Sequence, residues 1–197
     1  MNKRLQVEHP VTELTTWLNG SNLDIVEWQI RIANGEHLFP ESSLTRRGHA
    51  IECRIYAEDP ARGFEQSPGR ITAKLPNGPY CRLPVRIDSG FASNSFVPPD
   101  YDMMLDKVIA YGPDRETAIA RMDSILRNFV RIRGVKTNLD YLINIIEISE
   151  FSGGNYNIST LNTNHRELAL PALPSNGHLQ AYSRALPPAV LAHRLSM

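Results

Sequence analysis

The sequence lacks an excess of charge of either sign. Lys and Arg together number 21, Asp and Glu together number 21, and the formal net charge is therefore zero. Proteins that bind DNA or RNA through the phosphates usually carry a basic surface, so we expect no nucleic acid as a main partner. No apolar run approaches the roughly 20 residues that a membrane-spanning helix needs, so we expect no membrane partner.

Cysteine is also scarce, with only Cys53 and Cys81 in 197 residues. Their spacing matches neither a metal-binding motif nor a disulfide framework, which is typical of a reducing compartment. The first residues are polar from Asn2 onwards, and we therefore expect no secretory signal. These features predict a cytoplasmic location, or the mitochondrial matrix if the source is a eukaryote.

The remaining composition is that of an ordinary globular chain, with 42% apolar and 21% charged residues. The length suits one domain or one and a half. Apolar residues recur at helical spacing in three segments, each of which follows a residue that can cap a helix. The predicted helices span residues 21–34, 114–130 and 138–149, with Asp24 (or alternatively Ser21), Asp114 and Asn138 as caps.

Alternation of apolar and polar residues predicts strands, most clearly over residues 49–58. Further strands are expected over residues 70–75, 82–89 and 105–111, and together the four would form a small antiparallel sheet. With the helices packed on this sheet, the fold class is α+β. Residues 11–20 look rich in turns, residues 161–180 look like a linker, and residues 178–193 could form a docked segment.

The polar face of the first strand carries Glu52 and Arg54 two residues apart. Such a pair is commonly a surface ion pair that contributes at most about 1 kcal/mol. Alternatively, a sheltered Arg54 held by Glu52 could direct its guanidinium group at a ligand. The pattern alone leaves both interpretations open.

The first thirteen residues are dense in functional groups. If they were extended, Asn2, Arg4, Gln6 and Glu8 would share one face, because alternate side chains of a strand point the same way. A guanidinium group can bind a small planar oxyanion through two parallel hydrogen bonds, and a neighbouring carboxylate can accept a proton. The alternative is an edge strand whose polar face is simply solvated.

Several motifs in a fixed order resemble one family. MNKRLQVEHPVTE, residues 1–13, resembles the active-site strand and loop of the biotin carboxylases, which belong to the ATP-grasp superfamily. RGHAIECRIYAEDP, residues 47–60, resembles the signature that opens their C-terminal domain, and shorter matches continue to about residue 160. The resemblance implies a C-terminal remnant of an ATP-grasp domain in residues 1–40, a biotin carboxylase C-terminal domain in residues 41–160 and a linker or tail in residues 161–197.

The resemblance also implies roles for individual residues. Glu8 would be the base that deprotonates bicarbonate, and Arg4 would hold bicarbonate with the help of Gln6 and the backbone of Val7. Arg54 would stabilise the enolate-like oxygen of deprotonated biotin.

Two further residues would serve the nucleotide. Asn2 would bind magnesium or manganese beside the phosphates of ATP, since its amide oxygen suits a hard cation. Ile158 would contact the adenine.

The expected function is therefore ATP-dependent carboxylation of biotin with bicarbonate through carboxyphosphate. The parent enzyme would be an acyl-CoA carboxylase (acetyl, propionyl or methylcrotonyl), a pyruvate carboxylase or a urea carboxylase. Its partners would be a biotin carboxyl carrier domain and a carboxyltransferase domain or subunit, and we expect a homodimer.

Because the nucleotide-binding lobe would lie outside these residues, we expect the fragment alone to be inactive. The alternative from a different class is a non-catalytic interaction or regulatory module that retains the same fold.

Overall fold

The computed structural model describes residues 3–82 and 84–172, except for the side chains of residues 163–166. Its helices are α1 (His9–Thr15), α2 (Ile25–Ala33), α3 (Arg115–Asn128), α4 (Leu139–Glu147), α5 (Ser149–Ser152) and α6 (Ile158–Leu168). Its longer strands are β4 (His49–Tyr56), β10 (Val85–Ser89) and β12 (Met104–Gly112). The shorter strands are β1 (Thr16–Leu18), β2 (Ser21–Asn22), β3 (Leu44–Arg46), β5 (Glu58–Asp59), β6 (Glu65–Gln66), β7 (Gly69–Arg70), β8 (Ala73–Leu75), β9 (Tyr80–Arg82), β11 (Phe96–Val97) and β13 (Arg131–Arg133).

A four-stranded antiparallel sheet in the order β4-β12-β10-β9 forms the centre of the fold. In β4, Ile51, Cys53 and Ile55 alternate with polar residues and are buried, as the pattern predicts. Cys53 therefore behaves as a core residue, and its burial raises the pKa of the thiol to about 12. Cys53 and Cys81 are both free thiols, in agreement with the absence of a disulfide framework.

Helix α3 covers one face of this sheet and completes the main core. The side chain of Asp114 accepts a hydrogen bond from the backbone of Thr117 and caps the helix, as predicted. Ala118, Met122 and Leu126 recur at helical spacing and are fully buried against the sheet. Burying such a stripe provides most of the stability of an amphipathic helix.

The polar face of β4 and β12 lies under the N-terminal segment. Helix α1 packs on β4 and β12, and β1 joins β2 and β3 in a separate three-stranded sheet. The following helix, α2, begins at Asp24, whose side chain accepts from the backbone of Glu27, so the predicted cap is confirmed. The alternative cap, Ser21, is wrong because Ser21 belongs to β2.

The predicted α+β class is confirmed, and so are the strands predicted over residues 49–58 and 105–111, which correspond to β4 and β12. The strand over residues 82–89 is partly wrong, because Arg82 ends β9 and β10 begins at Val85. The strand over residues 70–75 is wrong as a single element, because β7 pairs with β11 and β8 pairs with β13. Ile71 lies between them, fully buried in a second core, and its backbone bonds to Ser95. The chain thus changes partner in the middle of the segment.

Two predicted irregular segments are partly regular. Residues 11–20 contain most of α1 and a hairpin whose turn, Asn19–Gly20, has positive φ at both positions. The linker interpretation is wrong for residues 161–168, which continue α6, and Asn144 donates hydrogen bonds to the carbonyls of Leu168 and Leu170. The segment 178–193 lies outside the described residues.

Candidate active site

The N-terminal segment before α1 is not a strand. It bends at Arg4 and turns at Val7–Glu8 before α1 begins, so the predicted extended conformation is wrong. The predicted separation of faces is also lost. Side chains of both expected sets, Arg4, Gln6 and Glu8 on one side and Lys3 and Leu5 on the other, line the same open groove.

This groove has a volume of about 380 Å³ and lies between the N-terminal segment and α2. Its remaining walls come from α1 and α2: His9, Thr12, Ile25 and Gln29. The Arg4 side chain is exposed and donates to the carbonyl of Leu5 at 3.3 Å. Its guanidinium group contacts no carboxylate among the described residues, so its charge can serve an anion in the groove.

Glu8 and Arg54 meet although 46 positions separate them. The Nη2 atom of Arg54 donates to Oε2 of Glu8 at 2.6 Å, which joins the turn before α1 to the polar face of β4. The largest influence on the pKa of Glu8 is a hydrogen bond from its own backbone amide, which lowers it. Desolvation opposes this effect, and the charges of Arg54 and Arg4 lower the pKa further. Glu8 is therefore ionised at neutral pH.

Glu52 holds Arg54 from the opposite side. Its Oε1 accepts from Nε of Arg54 at 3.0 Å, and its side chain is only 5% exposed, whereas that of Arg54 is 36% exposed. Burial raises the pKa of Glu52 even though Arg54 and Lys107 favour its charged form. Burial opposes the charge on Arg54, but Glu52 and Glu8 raise its pKa overall. The ion pair expected between Glu52 and Arg54 is present, with Glu52 buried and Arg54 partly exposed. The binding of a ligand by Arg54 stays a prediction.

A second set of ion pairs attaches α1 to the sheet. Glu13 is buried, lies 2.8 Å from Nδ1 of His9, and accepts from Arg86 at 2.8 Å and from the backbone of Ile25 at 3.1 Å. Asp88 accepts from Arg86 at 2.8 Å. Burial opposes the charge on Asp88, but hydrogen bonds from Arg86 and Lys107 lower its pKa.

Lys107 lies between these two sets. Its Nζ atom is 3.0 Å from Asp88 and donates to the carbonyl of Val7 at 3.4 Å. Sequence reasoning missed Glu13, Arg86, Asp88 and Lys107 as members of the site. All four are charged residues within predicted strands or near the N-terminal motif, but the sequence does not show that they are neighbours. Only the register of the strands brings them together.

The backbone of β4 at Arg54 is fixed by a buried amide. Asn138 precedes α4, but its side chain does not cap that helix as predicted. It donates to the carbonyl of Arg54 at 3.1 Å and accepts from the amide of Tyr56 at 2.9 Å. Since β4 is an edge strand of the central sheet, Asn138 supplies the hydrogen bonds that a further strand would make.

The other predicted site residues are not brought into this groove. Ile158 begins α6, is 88% exposed and lines a separate apolar groove of about 330 Å³ with Phe151 and Tyr156. Asn2 lies outside the described residues. Within residues 3–82 and 84–172, no cluster of three His, Cys, Asp or Glu side chains is placed to hold a metal ion.

The ionised carboxylate of Glu8 and the guanidinium group of Arg4 line the open groove. Arg54 and Val7 do not line it, and Arg54 joins the site through its bond to Glu8. Fixed cations can bind a small oxyanion and stabilise negative charge that develops during a reaction. The carboxylate can accept a proton from the bound anion. In this structure it is paired with Arg54, so a ligand at Arg54 would have to compete with Glu8 or share the guanidinium group with it.

Comparison with known families gives two matches along the chain. The model of the biotin carboxylase C-terminal domain matches residues 52–163, and that of the carbamoyl-phosphate synthase L chain, ATP binding domain, matches residues 1–40. Among curated proteins, biotin carboxylase 1, chloroplastic, from Populus trichocarpa is 46% identical over 173 residues, which are 87% of this chain and 31% of that protein. The chain spans about a third of the length of the curated relatives it matches.

Solved structures are similar over the same region. The biotin carboxylase domain dimer of Hydrogenobacter thermophilus 2-oxoglutarate carboxylase, in complex with MgADP, ADP and bicarbonate, is 37% identical with a TM-score of 0.78. The similarity covers 87% of this chain and 36% of that one. A complete multifunctional pyruvate carboxylase from Rhizobium etli is 36% identical with a TM-score of 0.77, over 89% of this chain and 16% of that one.

Proposed function

The chain belongs to the biotin carboxylase C-terminal domain family, and on that premise we propose that it is the C-terminal part of a biotin carboxylase. The reaction proposed for the parent protein has two steps. ATP activates bicarbonate to carboxyphosphate, and biotin on a carrier domain is then carboxylated at a ureido nitrogen. The observation that carries the proposal is the contact of Glu8 with Arg54 beside the groove that Arg4 lines.

The first step needs a bound bicarbonate and a base. Arg4 would hold bicarbonate with its guanidinium group, with Gln6 and the backbone of Val7 completing the site. Glu8 would take the proton of bicarbonate. The carboxyl group of Glu8 is ionised at neutral pH and needs no prior loss of a proton, but its lowered pKa makes it a weaker base. The geometry of the groove, and not the pKa shift, therefore supports this role.

The second step places negative charge on the ureido oxygen of biotin as its nitrogen loses a proton. Arg54 would stabilise that oxygen. Its guanidinium group is fixed through Nε by Glu52, while its Nη2 atom reaches Glu8. A cation that is already oriented needs little rearrangement as charge develops, which is the usual advantage of a preorganised site.

The described residues alone do not form a complete binding site for the nucleotide and its metal ion. The apolar groove beside Ile158 could accept one face of an adenine, since its lining is mainly aliphatic and aromatic. Asn2 would contribute to a magnesium or manganese ion. The groups that bind the phosphates would come from residues outside this chain, and the chain by itself would then be inactive.

The proposed partners follow from the same reaction. The carrier domain would bring biotin to the groove, and a carboxyltransferase domain or subunit would use the carboxylated product. The parent would be a homodimer that belongs to an acyl-CoA, pyruvate or urea carboxylase in the cytoplasm or the mitochondrial matrix. None of the described helices is both long enough and apolar enough to cross a membrane.

A non-catalytic interaction module is the second candidate, and one observation favours it. Helix α2 has no buried residue, and Val26, Ile30 and Ile32 are exposed along it. Exposed apolar surface of this kind is typical of a docking site.

Bicarbonate-dependent ATP hydrolysis by the full-length protein, with free biotin as acceptor, separates the two candidates. We expect Arg54→Met to lower the biotin-dependent rate about a hundredfold, because the cation that stabilises the developing charge is lost. Arg62→Met is the matched control at an exposed position and should leave the rate unchanged. Full-length protein without biotin-dependent hydrolysis would favour the interaction module.

A further inference from the structure

A row of charged residues crosses the face of the central sheet beneath Glu8. In the register of the sheet, Lys107 stands opposite Arg54 on one side and opposite Asp88 on the other. Two cations are thus cross-strand neighbours. Like charges directly opposite each other destabilise a sheet. The stability of the sheet therefore does not explain why Lys107 stands opposite Arg54.

Only one of the two carboxylate oxygens of Glu52 has a hydrogen-bond partner among the described residues. Its Oε1 atom binds Nε of Arg54, while Oε2 is buried and has no hydrogen-bond partner among the described residues. A buried carboxylate oxygen without a partner costs free energy. Arg54 thus contacts Glu52 through Nε and Glu8 through Nη2.

Lys107 acts on the other member of the pair. Its Nζ atom donates to the carbonyl of Val7, and this peptide group also contains the amide of Glu8. Lys107, anchored by Asp88, therefore fixes the plane of the peptide from which the Glu8 side chain extends.

A purely structural role explains these contacts poorly. Replacing a buried ion pair by apolar residues of similar volume is often neutral or stabilising, so α1 could be attached to the sheet without charges. Here Glu52 contacts the guanidinium group proposed to stabilise charge, and Lys107 contacts the peptide group that precedes the side chain of the proposed base.

On the basis of the function proposed above, we infer that Glu52 and Lys107 are positioning residues. Glu52 orients the guanidinium group of Arg54, and Lys107 orients the Val7–Glu8 peptide. Together they keep the carboxylate of Glu8 and the guanidinium group of Arg54 in a fixed relative orientation while ligands bind and dissociate. Neither residue needs to touch bicarbonate or biotin.

The test compares substitutions in the full-length protein by kcat, KM and melting temperature. Lys107→Met and Glu52→Leu should lower kcat for biotin-dependent ATP hydrolysis about tenfold to a hundredfold, because small displacements of catalytic groups are costly. The KM for ATP should not change. Glu52→Gln keeps an acceptor oxygen for Arg54 and should recover most of the rate.

Two exposed positions provide matched controls, Lys136→Met and Glu41→Leu. A merely structural role predicts a lower melting temperature with kcat preserved at a temperature where the variants are folded. If Lys107→Met and Glu52→Leu have kcat values within twofold of the controls, the inference is overturned.

A second measurement decides the inference if the full-length protein shows no biotin-dependent hydrolysis and the proposed function therefore fails. The carboxyl carbon of Glu8 can be titrated by NMR in this chain. Arg4, Arg54 and Glu52 interact with its charge, Lys3 and His9 line the same groove, and Lys107 bonds the carbonyl of the preceding residue. Lys107→Met should move the titration to higher pH, because a cation and the restraint on the peptide are both lost. A titration identical to that of Lys136→Met would reject the positioning role.

Discussion

At Arg54, one guanidinium group serves two carboxylates with different surroundings. Glu52 is buried and its pKa is raised, whereas Glu8 is exposed and its pKa is lowered. Neighbouring carboxyl groups whose environments shift their pKa values in opposite directions are common at functional sites. The guanidinium group of Arg54 donates a hydrogen bond to each of the two carboxylates and so fixes their relative positions.

Single residues of this site were predictable when their partners were close in sequence. Glu52 and Arg54 share a strand face, so alternation alone placed them together. The contact between Glu8 and Arg54 was accessible only through the family motifs, since 46 positions separate the two residues. Lys107 could not be assigned because its neighbours depend on strand register, which composition and spacing do not encode.

His49 provides a pH test at the scale of one residue. Arg115 can only donate, so Nε2 of His49 accepts its hydrogen bond at 3.1 Å and the imidazole is neutral. Burial lowers the pKa of His49, and the charge of Arg115 lowers it further. The unfolded chain therefore binds a proton near pH 6.5 that the folded chain does not bind, and the free energy of unfolding falls as the pH drops below about 6.5.

Urea unfolding at several pH values between 7.5 and 5.5 measures this effect. His49→Gln should make the free energy of unfolding less dependent on pH in this window. His37→Gln, at an exposed position, should keep the pH dependence of the wild type. Equal slopes for wild type and His49→Gln would show that His49 does not contribute.

Among the elements, those with long periodic patterns were predicted and the short ones were not. Strands β4 and β12 and helix α3 have many alternating or helical repeats, and the structure contains all three. Helix α1 has seven residues, too few for its periodicity to be distinguished from a turn. The segment 70–75 was misjudged because its two halves pair with different strands, a tertiary choice that a local pattern cannot contain.

Among the glycines that the structure describes, Gly134 is the one where an added Cβ atom would come closest to another atom. It follows β13 with φ of +101°, and a Cβ atom there would lie 2.2 Å from the carbonyl oxygen of Arg70 and 2.8 Å from the amide nitrogen of Thr72. Both are backbone atoms beside β7 and cannot rotate away. Gly78 also has a positive φ, +137°, but a Cβ atom would meet nothing within 4 Å.

The two glycines separate conformational strain from steric overlap. Gly78→Ala should lower the free energy of unfolding by about 1–3 kcal/mol through backbone strain alone. Gly134→Ala should cost at least about 2 kcal/mol more, because the backbone around β7 must move. Chemical unfolding of both variants gives the comparison, and equal losses would refute the overlap.

For the whole molecule, the order of the family motifs was the decisive information. Motifs in residues 1–13 and 47–60 predicted an α+β fold with an ATP-grasp remnant before a biotin carboxylase C-terminal domain, and the family matches cover residues 1–40 and 52–163. Composition and periodicity alone would have predicted the fold class but not the family. The apolar stripe of α2 could be predicted from the sequence, but its exposure to solvent could not.

That surface gives a prediction at the scale of the molecule. We expect this chain to self-associate at high concentration, because Ile30 is 59% exposed on a helix without buried residues. Ile30→Glu should shift sedimentation towards the monomer. Tyr101→Ser, at an isolated exposed side chain, is the control and should behave like the wild type. A wild-type chain that stays monomeric at every concentration would contradict this prediction.

The most direct test of the account is a crystal structure of the full-length protein with bicarbonate and biotin bound. The account predicts bicarbonate oxygens about 3 Å from the Arg4 guanidinium group and from the Glu8 carboxylate, and the ureido oxygen of biotin at the same distance from Arg54. A structure with this fold intact, in which both ligands lie away from Arg4, Glu8 and Arg54, would contradict it.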